Sequence, residues 1–233
     1  MEYIQNYIIC STKELMNSVV IVAGGKGTRL KGKIPKQFIK LGNNKSILNI
    51  CVEAFLKNKL IDELVIVAHS EWVEKIKNEF KQCKVVSGGS TRSHSSLNGL
   101  KKCSKNCKNV LIHDAARPFV SQKIITECFE MLKKYDAVVP VIRPSDSITY
   151  KNKEAISYLD RDKVQLVQTP QAFKFNKIIK AYKNNQYGTD DLSVLINENP
   201  NISRFFIKGD MLNFKITNKS DLNIAKRIYG LQS

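Results

Sequence analysis

Acidic residues are scarce in this chain: 21 Asp and Glu stand against 38 Lys and Arg, a formal net charge of +17. Such an imbalance admits a nucleic-acid partner, a membrane surface or an anionic substrate. The lysines, however, are spread along the whole length among many Asn and Ile residues. A nucleic-acid module concentrates cations on one element with aromatics between them, and no element does so here. No nucleic-acid partner is therefore expected. Long apolar runs are also missing; none approaches the ~20 residues of a membrane span, so no membrane partner is expected either. Repeats, low-complexity tracts and Gly/Ser linkers are absent, which argues against a second independent domain. Histidine is sparse, with only His69, His94 and His113. Cys103 and Cys107, spaced i,i+4 as on one helical face, find no two further ligands at zinc-site spacing. Met1–Asn17 does not read as a secretory signal. The six cysteines (at 10, 51, 83, 103, 107 and 128) thus fit reduced thiols and a cytoplasmic location rather than a disulfide framework.

What is present is alternation. Ser18–Ala23, Leu64–His69, Asn109–His113 and Ala137–Ile142 are continuous and β-branched, as strands buried on both faces are. Between them, apolar residues recur at helical spacing: Ile47 to Phe55 behind a cap at Ser46, Trp72 to Phe80 behind Ser70, and Ile124 to Leu132. A last such run, Leu222 to Tyr229, follows Ser220. This pattern predicts an α/β fold, a Rossmann-like, mostly parallel sheet with helices on both faces. Ligands are then expected at the carboxyl ends of the strands. Residues 143–168 break the alternation: polar, poor in helix signals, with extended pieces such as Ser147–Tyr150, they read as a protruding β-arm. The expected organisation is one domain over 17–233, preceded by an extension over 1–16 that is expected to be loosely ordered.

Four clusters carry candidate chemistry, each just after an expected strand. The first is Ala23-Gly24-Gly25-Lys26-Gly27-Thr28-Arg29 with Pro35-Lys36-Gln37. Glycines let backbone N–H groups close around an anion, and Arg29 and Lys36 supply fixed positive charge. It is not a dinucleotide fingerprint, because Leu30 stands where the third glycine belongs, nor a P-loop, because Thr28 follows Gly27. The second is Gly88-Gly89-Ser90-Thr91-Arg92-Ser93-His94-Ser95-Ser96, following a short strand Lys84–Ser87 and opening a helix. It suits either a capped helix start or an anion or base-edge site. The third is His113-Asp114-Ala115-Ala116-Arg117-Pro118, whose Asp114 pairs with Arg117 or holds Mg²⁺ beside a nucleotide. The fourth combines Asp160-Arg161 and Thr169-Pro170-Gln171 with Thr189-Asp190-Asp191 and Lys215-Ile216-Thr217.

Together, in order and from Asn17 onward, these segments resemble the 2-C-methyl-D-erythritol 4-phosphate cytidylyltransferase family. The resemblance implies a Rossmann-like nucleotidyltransferase whose arm interlocks two subunits into a homodimer with shared active sites. It implies transfer of a cytidylyl group from CTP to methylerythritol phosphate, with Mg²⁺ as cofactor. By match to the family, Arg29, Lys36 and Lys215 act on the reacting phosphates. Ala23, Gly24, Gly25, Gly27, Gly89 and Ser95 contact CTP, and Asp114 holds the metal. Asp114, Arg117, Thr169 and Thr189, with Ser147 and Arg161 from the arm, bind the acceptor. Ser90, His94 and Ser147 depart from the residues usual at their positions. A ribitol-5-phosphate or other polyol-phosphate cytidylyltransferase shares these loops, and the acceptor segment around Arg161 and Thr169 lies nearer the methylerythritol type.

Overall fold

The computed structural model describes residues 15–25, 35–42, 44–152, 155–184 and 186–232. Its centre is strand β1 (Met16–Ala23), a β-branched run whose alternate side chains enter two separate cores. Val19 and Ile21 face one layer and Val20 faces the other, all fully buried. Strands β4 (Glu63–Ala68) and β6 (Cys107–Asp114) flank β1, both parallel to it, and β5 (Lys84–Ser87) pairs in parallel with β4. Beyond β6 the sheet becomes mixed. Strand β11 (Gln171–Lys174) lies antiparallel between β6 and β7 (Ala137–Ile142), and β12 (Arg204–Lys208) runs parallel to β7 on its other side. With β10 (Leu166–Val167), also on β7, the sheet has 8 strands. A small ribbon of β2 (Lys40–Gly42) and β3 (Lys45–Ser46) leads into the first helix.

Helices cover both faces, as the alternation predicts. On one side lie α1 (Ile47–Leu56), α2 (Val73–Glu79) and α4 (Gln122–Met131); on the other lie α3 (Arg92–Lys102), α5 (Phe175–Lys183) and α6 (Asp191–Glu198). Ser46 caps α1 in a reciprocal box with Asn49. Ser70 does not act as the expected cap. It lies inside a 3₁₀ turn over Ser70–Trp72, and α2 starts only at Val73. Ser220 likewise falls inside α7 (Lys219–Gln232), whose start is tied by reciprocal Asn218 and Asp221 bonds of 3.1 and 2.9 Å. Cys103 and Cys107 do not share a helical face: Cys103 follows the last turn of α3 and Cys107 opens β6. Helix α3 rides unusually low on the sheet at Gly99, where a Cβ would stand 2.3 Å from Val20 Cγ1 and 2.7 Å from Val67 Cγ2.

The arm is a hairpin of β8 (Ile148–Asn152) and β9 (Ala155–Leu159), forming a 2-stranded sheet of its own. It ends sooner than residue 168, because Leu166 and Val167 are already paired with β7. The expected first strand starts two residues early, so Met16, assigned to the extension, is a buried part of the sheet. Leu15, also from that extension, is exposed, and residues 1–14 lie outside the described residues, as do Gly27 and Arg29.

Candidate active site

Strand order reverses at β1, with β4 on one side and β6 on the other, and a crevice opens at the carboxyl ends of such strands. A cavity of about 720 Å³ lies there. Its walls come from the ends of β1 (Val22, Ala23, Gly24, Gly25), β4 (His69, Ser70), β5 (Ser87 to Thr91) and β6 (Asp114 to Ala116). Lys36, Gln37, Arg92, Ser95 and Lys215 complete the lining among the described residues. The first, second and third clusters, distant in sequence, thus meet in one place.

Local hydrogen bonds fix each wall. Gln37, buried, donates to the Ala23 carbonyl at 2.9 Å, tying the Lys36–Phe38 turn to the end of β1. Lys36 Nζ donates to the Ile216 carbonyl at 3.0 Å, beside the segment that carries Lys215. Thr91 caps α3, and Ser95 Oγ donates to the Thr91 carbonyl (2.9 Å) while accepting from Gly89 N–H (3.1 Å). Ser95 therefore shapes the glycine loop from behind. Gly89 has no alternative, since a Cβ there would meet His94 Cβ at 2.3 Å.

The charged centre is Asp114, the last residue of β6. It does not pair with Arg117. Its Oδ1 accepts from Arg92 Nε at 3.0 Å and its Oδ2 from Lys215 Nζ at 2.7 Å. Burial alone would push this carboxyl up, but the Arg92 and Lys215 charges and hydrogen bonds outweigh it and hold the group well below the ordinary range. Arg92 also reaches Asp191 Oδ2 at 2.7 Å, and the fully buried Asp191 accepts from Tyr182 Oη at 2.5 Å. Burial works against the Arg92 charge, yet the two carboxylates raise its pKa overall. Two cations and two carboxylates thus form one continuous cluster, neutral in sum.

Arg117 points elsewhere: its Nη1 donates to the Asn213 carbonyl at 2.8 Å, and its buried Nε finds no partner among the described residues. Behind Asp114 runs a second chain. Asp114 N–H donates to Thr169 Oγ1 (3.1 Å), Thr169 lies 3.1 Å from His113 Nδ1, and His113 Nε2 lies 2.9 Å from the Arg117 carbonyl. A carbonyl only accepts, so Nε2 carries the proton and Nδ1 accepts from the Thr169 hydroxyl. Burial drives the His113 pKa down to about 4, which keeps this ring neutral.

Of the residues the sequence nominated, Ala23, Gly24, Gly25, Lys36, Gly89, Ser95, Asp114 and Lys215 line the cavity; Arg117 and Thr169 stand behind it. Ser147 and Arg161 sit exposed on the arm segment, where Arg161 donates to the Ser145 carbonyl at 3.0 Å, and Thr189 is exposed just ahead of α6.

The pattern of the 2-C-methyl-D-erythritol 4-phosphate cytidylyltransferase family matches residues 17–230. The chain belongs to this family. A relative of that name from Clostridioides difficile (strain 630) is 43% identical over 228 residues, covering 93% of this chain and 95% of its own. One from Thermotoga neapolitana is 36% identical, covering 91% and 96%. Among solved structures, 4-diphosphocytidyl-2C-methyl-D-erythritol synthase from Anaerococcus prevotii superposes with a TM-score of 0.83 at 25% identity, over 94% of this chain and 97% of that one. The Francisella tularensis 2-C-methyl-D-erythritol 4-phosphate cytidylyltransferase does so at 0.76 with 31% identity, over 91% and 99%.

Within this cytidylyltransferase family member, sequence reasoning missed two groups. Arg92 was legible only as part of a glycine-loop motif, although it joins Asp114 to the core. Asp191 reads as a first-turn acid behind the Asp190 cap, and Asp190 does cap α6. The signal that could have separated them is Tyr182 in the helix before, an aromatic hydroxyl that needs a buried acceptor.

Proposed function

We propose that the protein transfers the cytidylyl group of CTP to 2-C-methyl-D-erythritol 4-phosphate. A phosphate oxygen of the acceptor bonds to the α-phosphorus, the bond from that phosphorus to the β-phosphate oxygen breaks, and pyrophosphate leaves with the electron pair. The products are 4-diphosphocytidyl-2-C-methyl-D-erythritol and pyrophosphate. Family membership supports the substrates, and the observation that carries the chemistry is the convergence of Lys36 and Lys215 on one end of a glycine-walled cavity. A phosphate monoester is already nucleophilic, so positioning and charge neutralisation suffice and no general base is required. The ribitol-phosphate alternative finds no support among the relatives described above.

In this reading Lys36, Lys215 and Arg29 face the charge that builds on the triphosphate. The backbone of Ala23, Gly24, Gly25, Gly27 and Gly89 lies against CTP, with Ser95 holding that loop. Asp114 is the only carboxylate among the described residues lining the cavity, and both its oxygens keep lone pairs beyond the Arg92 and Lys215 bonds. One carboxylate beside substrate phosphates is the donor set Mg²⁺ accepts. Mg²⁺ held there would supply further neutralisation of the triphosphate. Arg117 and Thr169 support the Asp114 backbone from behind, and Thr189 binds the acceptor from the start of α6. Ser147 and Arg161 are assigned to the acceptor site of a second subunit in a homodimer. The arm's exposed Ile156 and Tyr158, two residues apart in β9 and so on one face of the hairpin, suit a protein partner, because neighbouring apolar residues left in solvent mark an interaction face. No helix among the described residues is long and apolar enough to cross a membrane, and a cytoplasmic setting is part of the same proposal.

The test is pyrophosphate release measured across four nucleoside triphosphates and several polyol phosphates. Turnover confined to CTP with methylerythritol phosphate is expected; preferred turnover of ribitol phosphate, or none with CTP, would overturn the assignment.

A further inference from the structure

One side chain of the cavity wall has no part in the transfer described above. His69 follows β4, between the Ala23–Gly25 end of β1 and the Ser87–Gly89 end of β5. Its Nδ1 is covered and makes no hydrogen bond, the nearest acid being Glu71 Oε2 at 3.6 Å. The ring nevertheless keeps 25% of its exposure. His69 lines the cavity, so with Nδ1 covered, Nε2 is the ring nitrogen left to meet a ligand there.

The distribution of charge says which part of a nucleotide would meet it. Arg92 and Lys215 bond to Asp114, and Lys36 bonds beside Lys215, so the charged lining groups gather on the β6 side of β1. Across the crevice, on the β4–β5 side, the lining is His69, Ser70, Ser87 and Ser90: polar, hydroxylated and free of formal charge apart from the imidazole. A nucleotide whose phosphates lie at the cations places its nucleoside on this second side. Glu71, at 3.6 Å, is the one acid within 4 Å of Nδ1 among the described residues, and its charge favours the tautomer with the proton on Nδ1. Nε2 then offers a lone pair.

We propose that His69 Nε2 accepts a hydrogen bond from the nucleoside of the bound nucleotide and so helps set nucleotide specificity. The inference rests on the CTP reading above. The shared chemistry is an N–H or O–H donor, supplied by a ribose hydroxyl or by the exocyclic amine of cytosine.

Titration calorimetry on the full chain tests it with CTP, 2′-deoxy-CTP, 3′-deoxy-CTP and UTP, for wild type, His69→Phe and His69→Gln. Wild type is expected to bind CTP about tenfold more tightly than His69→Phe, the size of one hydrogen bond. His69→Gln, which keeps an acceptor, recovers most of the difference. The gap between wild type and His69→Phe should close for the analogue that lacks the donor: a deoxynucleotide if the ribose supplies it, UTP if the base does. In steady state the loss appears in KM for CTP while KM for the acceptor phosphate stays put. Equal CTP affinity in wild type and His69→Phe overturns the proposal and leaves the function intact. A lowered Tm with both KM values raised also overturns it, because that is the mark of a packing role. Wild type that binds no CTP overturns the functional reading and this one with it.

Discussion

His113 sits in the interior as a neutral imidazole wedged between the Thr169 hydroxyl and the Arg117 carbonyl, and acid should find it first. Its ordinary pKa of 6.5 falls to about 4 in the folded chain, chiefly through burial. The sign follows from proton counting: between these two values the unfolded chain holds a proton that the folded chain does not. Stability from this residue is complete above pH 6.5 and is lost as pH falls toward 4. At ~1.4 kcal/mol per pH unit the full loss is about 3 kcal/mol. For a chain of this size that corresponds to roughly 6–12 °C in Tm. The consequence reaches the cavity, because a proton on Nδ1 would face the Thr169 oxygen that already receives Asp114 N–H. The assay is urea unfolding, or calorimetric Tm, of wild type and His113→Gln at half-unit steps from pH 7 to 4. Asp114 and Glu63, both held below their usual range, act in the same direction but at lower pH and equally in both proteins. The wild-type curve should fall away from that of the variant between these limits, whatever the offset at neutral pH. Parallel curves would refute the neutral, buried assignment.

Lys36→Ala and Lys215→Ala are each expected to lower kcat by ~10²–10³ in steady-state assays with little change in KM for the acceptor; near-normal turnover would contradict their place beside the developing charge. Asp191→Ala removes a fully buried partner of Arg92 and strands Tyr182 Oη, and should cost about 3 kcal/mol in urea unfolding. A loss below ~1 kcal/mol would show that Arg92 is anchored by Asp114 alone. Mixing Arg161→Ala with Lys36→Ala protein, each nearly inactive, should restore about a quarter of wild-type activity once subunits exchange, since half of the dimers are mixed and each has one intact site. No recovery after verified exchange would place Arg161 in its own chain's site.

Much of the scaffold was legible because burial writes itself into composition. Val19, Ile21, Val65 and Ile66 form unbroken β-branched runs, and runs of that kind are what a sheet covered on both faces requires. The short strand Lys84–Ser87 and the cap at Ser46 were equally plain, since each depends on residues adjacent in sequence. The antiparallel β11 was not, because Gln171–Lys174 carries no signal of strand direction and was read only as part of a binding motif. Ser70 and Ser220 misled for a related reason: a hydroxyl ahead of an apolar run signals a helix start to within a turn, and the backbone chose another residue. In the site, the glycine loops and Asp114 could be read from local pattern. The partner of Asp114 could not, since Arg117 is nearer in sequence and only the packing of α3 against the sheet brings Arg92 to it.

Gly99 contributes nothing to the cavity directly, yet it sets how closely a helix that supplies part of the wall lies on the sheet. Helix α3 settles onto Val20 and Val67 only because no methyl stands between them, and the same rod presents Ser95 one turn earlier and Arg92 two turns earlier. Val20 and Val67 are stiff at χ1 and fully buried, so they cannot yield to an added carbon. The rod would have to lift instead, carrying the Arg92 fork off Asp114. The position works as a feeler gauge: a clearance set in the middle of a helix fixes the alignment of charges at its tip.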